Sequence, residues 1–331
     1  MKIAILGAGA WGSALAISFA AAHSVRLWTR SESHLEALRR SRTSPYLPEC
    51  PIADSIAVEG DLAHAIAGCD LVLVATATAG LRPVCEQVAA IDPAPRLLWA
   101  CKGFEHDSRR LPHQLVAAAL PRARQVGALS GPSFALEVAR GLPAAVVVAS
   151  ADGGFARSTV DALNSQRLRL YSSTDVIGVE LGGAVKNVVA IAAGICDGLK
   201  LGRNARAALI TRGLAEMTRL GVALGGRAET FAGLTGLGDL VLTCTGELSR
   251  NRAVGERLAS GQSLGGILDA LGHVAEGVVS ADSVVELAGG RSIEMPICQA
   301  VHAVLHGRLP AETAVRELLS RNPGPERSPG G

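Results

Sequence analysis

Lys2-Ile3-Ala4-Ile5-Leu6-Gly7-Ala8-Gly9-Ala10-Trp11-Gly12 decides how the rest of the chain is read. A short run, apolar after Lys2, meets GxGxxG; a helical stretch over Trp11–Ala22 follows, and a second apolar run begins at Val25. Each glycine of such a turn answers a separate physical need. In order, they make the tight turn, let backbone approach a pyrophosphate, and let the helix pack on the strand. The pyrophosphate then rests on the unpaired N–H groups of the helix N-terminus. The spacing alone means little in a chain with 38 glycines. Its position between a strand and a helix turns it into an expectation of dinucleotide binding at Gly7, Gly9 and Gly12.

Further apolar runs extend the pattern: Val25–Trp28, Leu71–Val74, Leu97–Ala100, Val126–Leu129, Ala144–Ala149 and Leu168–Tyr171. Their near-continuous hydrophobicity predicts strands buried on both faces, and their alternation with Ala-rich helical patterns is the βαβ signature of an α/β fold with a mostly parallel sheet. Asp61 reads as the N-cap of a short helix that stops at Gly68. After Asp175 the character changes. Val176–Cys196 is apolar nearly all round, interrupted by Gly, Glu180, Lys186 and Asn187, and reads as a deeply buried helix between two domains. Helical spacing recurs over Ala205–Leu220, Arg252–Ala259, Gly265–Leu271, Ala281–Ala288, Ile297–His306 and Ala311–Ser320. The expected organisation is an α/β dinucleotide-binding domain over 1–175, an all-α domain over 176–320 for substrate and dimerisation, and a Pro/Gly-rich disordered tail over 321–331.

Composition excludes several classes. With 32 basic and 30 acidic residues the net charge is +2, so no basic field points to nucleic acid or an anionic membrane. No uninterrupted apolar run reaches the ~18 residues of a membrane span, and the N-terminus lacks a signal-peptide pattern. The 7 cysteines form no CxxC pair, which suits a reducing, cytoplasmic setting and argues against disulfides or a zinc site. His302 and His306 stand four apart, but no acid flanks them in a metal pattern, so no metal is expected.

The tip of the second strand chooses the cofactor. An acid there binds the adenosine ribose; an arginine accepts a 2′-phosphate. Here the strand ends Trp28-Thr29-Arg30-Ser31, with Glu32 nearby, which favours NADP(H) and tolerates NAD(H). Beyond the other strand ends lie Thr76-Ala77-Thr78, Cys101-Lys102-Gly103 and Ser130-Gly131-Pro132-Ser133, a set of small hydroxyls, a lysine and bare backbone suited to a small anion. Lys186 interrupts an apolar helix with Gly182, Gly183 and Ala190 beside it, a bare patch where a substrate could meet the ammonium. Burial lowers a lysine pKa, the direction needed for proton transfer; the alternatives are snorkelling or pairing with Glu180. Gly236-Leu237-Gly238-Asp239 reads as a tight turn presenting a carboxylate, or as a helix cap. Ser249 reads as an N-cap placing Arg250 and Asn251 on a helix's first turn, where an anion is favoured.

These stretches, with Glu180-Leu181-Gly182-Gly183-Ala184-Val185-Lys186-Asn187, stand in the order found in one family: over roughly residues 1–320 the sequence resembles bacterial NAD(P)-dependent glycerol-3-phosphate dehydrogenases. The resemblance implies a Rossmann-like N-terminal domain, an all-helical C-terminal domain and a homodimer. It implies interconversion of dihydroxyacetone phosphate and sn-glycerol 3-phosphate, supplying phospholipid synthesis. Position by position, it implies dinucleotide contacts from Ala10, Trp11, Arg30, Lys102, Ala135, Arg250, Val274 and Glu276. Substrate contacts are implied for Lys102, Gly131, Ser133, Lys186, Asp239, Ser249, Arg250 and Asn251, with Lys186 as the proton donor and acceptor. One departure stands out: a proline common in the family is absent from Thr76-Ala77-Thr78. Two other readings remain open: a β-hydroxyacid or phosphogluconate-type dehydrogenase, which also carries a helical Lys–Asn pair, and a non-catalytic NADP(H) sensor.

Overall fold

The structure is a computed structural model that describes residues 1–271 and 275–321. The expectations for Val274 and for the tail beyond Arg321 lie outside the described residues. The described residues divide into two compact units, one of Met1–Glu105 with Arg110–Val176, the other of His106–Arg109 with those from Ile177 onward.

The first unit is built on ten strands: β1 (Lys2–Leu6), β2 (Ser24–Trp28), β3 (Thr43–Ser44), β4 (Leu47–Pro51), β5 (Ala57–Glu59), β6 (Leu71–Val74), β7 (Leu97–Trp99), β8 (Val126–Ser130), β9 (Ala144–Ala149) and β10 (Leu168–Ser173). Eight of them form one sheet in the order β10-β9-β8-β7-β6-β1-β2-β5. β1 pairs in parallel with β2 (Lys2↔Ser24 through Leu6↔Trp28) and with β6 (Ile3↔Leu71 through Leu6↔Val74). Strand order reverses there, so β1 and β6 flank the crevice where open α/β sheets bind ligands. Within this sheet the antiparallel pair is β8 with β9, which includes Ala128↔Ala149, and β10 follows β9 in parallel. β6 and β7 are buried along their whole length, as continuous apolar runs predict.

Three strands had no apolar run to announce them. β5 is three residues long, and β3 and β4 form a small antiparallel ribbon whose second strand holds Pro48 and Pro51. Short, proline-bearing edge strands lack the pattern of buried ones. The helices of this unit are α1 (Ala10–Phe19), α2 (Glu32–Ser41), α3 (Leu62–Ile66), α4 (Thr78–Ile91), α5 (Pro112–Ala119), α6 (Ala135–Ala139) and α7 (Gly153–Leu163). Asp61 does cap α3, accepting from the His64 N–H at 2.7 Å. α1 stops short of the expected Ala22: the Ser24 N–H is claimed by the Met1 carbonyl at 3.0 Å, and the chain must straighten to enter β2. Without the family's proline, Ala77 still takes an extended conformation and starts α4.

Among its described residues the second unit is wholly helical: α8 (Val176–Gly198), α9 (Arg203–Ala223), α10 (Ala228–Ala232), a π-helical turn (Leu234–Gly238), α11 (Asp239–Thr245), α12 (Arg250–Ala259), α13 (Leu264–Leu271), α14 (Glu276–Gly289), α15 (Pro296–Leu305) and α16 (Ala311–Ser320). By length and composition α8 could cross a membrane, contrary to the expectation from uninterrupted runs, which ignored helices broken by single polar residues. Yet 89% of its most apolar window is buried inside the protein, as in a core helix.

Gly236-Leu237-Gly238 is not the expected tight turn. It is a π-helical turn running straight into α11, so Asp239 opens a helix instead of sitting on a loop. The added backbone hydrogen-bond spacing of a π turn re-aims the side chains that follow, a device common at functional sites.

Candidate functional site

In the first unit the fingerprint turn is tight at Gly7, close-packed at Gly12 and open at Gly9. Gly7 has φ +117°, and a Cβ on it would press within 2.9 Å of the Ala75 backbone after β6. A Cβ on Gly12 would sit 1.8 Å from the Gly7 carbonyl oxygen, so helix and turn touch only because both residues are bare. Gly9 is different: nothing lies within 4 Å of a Cβ built there, and it begins α1 without any side-chain cap. The open space and uncapped N–H groups suit an anion.

Three polar atoms around the strand ends are buried with no hydrogen-bond partner among the described residues: Trp11 Nε1, Thr76 Oγ1 and Ser130 Oγ. Such atoms call for a partner that the protein itself does not supply, so these residues fit a bound dinucleotide. Trp11 and Ala135 pack on one small cluster with Ala14, Leu47, Cys50 and Val138, which ties the start of α1 to α6. Arg30 follows β2, is exposed, and makes no ion pair among the described residues. Beyond β7, Lys102 Nζ donates to the Gly131 carbonyl at 2.9 Å, and Ser133 Oγ donates to the same oxygen at 2.9 Å. Lys102, Gly131 and Ser133 thus form one cluster after β7 and β8. Gly131, at φ +137°, turns its carbonyl toward both.

In the second unit, Lys186 sits in the middle of α8 with its side chain 8% exposed. It neither snorkels nor depends on Glu180 alone: its Nζ donates to Asp239 Oδ1 at 2.6 Å and to Thr243 Oγ1 at 2.8 Å. Asp239 and Thr243 share one face of α11 because they are four apart, and the Thr243 hydroxyl lies 2.6 Å from the Asp239 carbonyl. The adjacent Cys244 takes no part as a thiolate; burial pushes its thiol up to about 12. The expected bare patch beside Lys186 is occupied at Gly182, where a Cβ would sit 2.4 Å from the Thr235 carbonyl. That glycine brings α8 against the π-helical turn and so brings Asp239 to the lysine.

A second polar chain runs alongside. Asn251 Nδ2 donates to Asn187 Oδ1 at 3.0 Å, and the Gly277 N–H donates to Asn251 Oδ1 at 3.0 Å. α12 reaches this close to α8 because Gly194 and Gly255 face each other's helix; a Cβ on either would fall within 2.0 Å of backbone. Ser249 is the expected N-cap, accepting from the Arg252 N–H at 3.3 Å, and is buried. Arg250 is the exposed first residue of α12. Glu276 opens α14 next to Gly277, at the end of the asparagine chain. Thr243 and Asn187 were absent from the candidate residues. The legible signal was the i, i+4 spacing of Asp239 and Thr243 and the adjacency of Asn187 to Lys186.

Family models match both parts of the chain: the N-terminus of NAD-dependent glycerol-3-phosphate dehydrogenase over residues 2–156, and its C-terminus over residues 175–316. A protein of Thiobacillus denitrificans named glycerol-3-phosphate dehydrogenase (NAD(P)+) is 56% identical, across 97% of this chain and 98% of its own. One of the same name from Nitrosomonas europaea is 54% identical, across 98% of this chain and 99% of its own. The crystal structure of glycerol-3-phosphate dehydrogenase from Coxiella burnetii has a TM-score of 0.92 at 43% identity, covering 97% of this chain and 99% of that one.

Proposed function

The chain belongs to the NAD-dependent glycerol-3-phosphate dehydrogenase family, and from that premise we infer that it interconverts dihydroxyacetone phosphate and sn-glycerol 3-phosphate with NAD(P)H. The observation that carries the chemistry is the buried Lys186 ammonium, held between Asp239 and Thr243 on an otherwise apolar helix. Reduction of a ketone needs a hydride at carbon and a proton at oxygen. The dinucleotide, when bound, supplies the hydride in that direction and takes it up in the other. Lys186 gives its proton to the carbonyl oxygen as negative charge grows there, and recovers it when the alcohol is oxidised. Asp239 and Thr243 fix the ammonium's position and hold its charge in a buried setting.

The triose phosphate is held, in this reading, by Lys102, Gly131, Ser133, Ser249, Arg250 and Asn251. Arg250 supports a phosphate role because it is exposed on the first turn of a helix whose N–H groups favour anions. Gly7, Gly9 and Gly12 with the N-terminus of α1 would hold the pyrophosphate. Ala10, Trp11, Lys102, Ala135, Arg250 and Glu276 complete the dinucleotide contacts. Exposed Arg30 at the end of β2 favours a 2′-phosphate, hence NADP(H). None of the seven cysteines, all of them among the described residues, forms a disulfide and six are buried, which supports a reducing, cytoplasmic setting. A homodimer and a role in phospholipid synthesis rest on the family resemblance.

The test is a substrate panel followed by nicotinamide absorbance. Oxidation of NADPH with dihydroxyacetone phosphate but not with 3-keto acids, and no reduction of NADP+ with 3-hydroxy acids or 6-phosphogluconate, is the expected result. Turnover confined to a hydroxy acid, or tight NADPH binding without turnover on any substrate, overturns it.

A further inference from the structure

Away from Lys186, three metal-ligating side chains of the helical unit meet: Asp282 on α14, His302 on α15 and His306 just after it. His302 Nε2 lies 3.2 Å from Asp282 Oδ1, and His306 Nε2 lies 2.7 Å from the same oxygen. The donor atoms all fall within 4.8 Å of one another, and the two rings are 4.5 Å apart centre to centre. In the sequence the two histidines had no acid in a metal pattern; α14 packing on α15 supplies it.

We propose that Asp282, His302 and His306 bind one zinc ion, at a non-catalytic site that ties α14 to α15. Two imidazole nitrogens and a carboxylate oxygen are a donor set zinc takes readily, with water in the fourth position. Two nitrogen ligands also disfavour magnesium and calcium, which prefer oxygen. The spacing fits as well. With metal–ligand bonds of about 2.0–2.1 Å, tetrahedral ligand atoms stand about 3.3 Å apart. The His302–Asp282 pair already does, and the His306–Asp282 pair needs to open by roughly half an ångström.

His306 is 43% exposed, which leaves an entry path and room for the fourth ligand. The alternative is that Asp282 bridges the two histidines, and so the helices, without a metal.

Titration calorimetry of chelator-treated protein with zinc sulfate separates the two. Binding of one zinc per chain, weakened about tenfold or more by His306→Ala and again by His302→Ala, is expected. So is a rise in Tm with zinc that the double variant lacks. Nitrogen NMR of the wild-type imidazoles keeps the test open if a variant misfolds: Nε2 of both histidines, and of no other, should shift as zinc is added. Zinc affinity unchanged in the double variant, or Nε2 signals that do not move, overturns the site.

Discussion

Lys186 Nζ and Asp239 Oδ1 stand 2.6 Å apart although 53 residues separate them in the chain, and the carboxylate is only 1% exposed. A buried ion pair is costly to make and costlier to break: removing one partner strands the other charge, at roughly 3–5 kcal/mol.

Lys186→Ala should therefore lose both turnover and stability. Proton transfer by a positioned group is worth about 10²–10⁴-fold, so kcat should fall by that much or more. Pairing Lys186→Met with Asp239→Leu should recover most of the Tm and none of the turnover. Near-normal kcat in Lys186→Ala would end the proton-transfer role.

Gly9 and Gly12 should behave differently, because one faces open space and the other faces backbone. Gly9→Ala should keep the wild-type Tm and raise the KM for the dinucleotide. Gly12→Ala should lower the Tm as well, since its Cβ must displace the Gly7 carbonyl. Equal Tm values for the two variants would show that the close approach is not what Gly12 serves.

Arg30→Glu should invert cofactor choice. A carboxylate at the end of β2 repels a 2′-phosphate and accepts from a ribose hydroxyl. The ratio of kcat/KM for NADPH over NADH should drop by about tenfold or more, equivalent to about 1.4 kcal/mol. A ratio that does not move removes Arg30 from the dinucleotide site.

Glu216 gives the helical unit a pH-dependent stability. Its carboxylate, on α9, accepts the Ile297 and Cys298 N–H groups at 2.7 and 3.1 Å and so caps α15. Burial nevertheless dominates and raises its pKa above the ordinary glutamate value. With the folded pKa above the unfolded one, the favourable contribution is complete below the unfolded value and is lost as pH rises through the folded one. The Tm of wild type relative to Glu216→Gln should thus be greater near pH 4 than near pH 7. The opposite trend would mean that the two N–H donors outweigh desolvation.

Much of the fold was legible because it is local. The starts and ends of the apolar runs at Lys2, Leu71 and Ala144 coincide with strands, since a strand buried on both faces must be continuously apolar. Ser249 and Asp61 were readable as caps for the same reason: the donors they satisfy lie within three residues. The edge strand β5 and the ribbon of β3 and β4 were not, being too short and polar to carry a pattern. The π-helical turn before Asp239 was read as a tight turn because glycine pairs usually punctuate chains, and the close packing of Gly182 on Thr235, which goes with the helical route, is a tertiary contact.

Sequence alone determined the β1–Gly7–α1 unit, the buried helix carrying Lys186 and the residues that gather at the strand ends. Each follows from hydrophobic period, glycine placement or capping, which act over a few residues. Tertiary structure decided who meets whom: Lys186 with Asp239 and Thr243, Asn187 with Asn251, and Asp282 with His302 and His306. Those pairings depend on how closely helices approach, and between α8 and α12 that distance is set by the absence of a Cβ at Gly194 and Gly255, which lie far from each other along the chain.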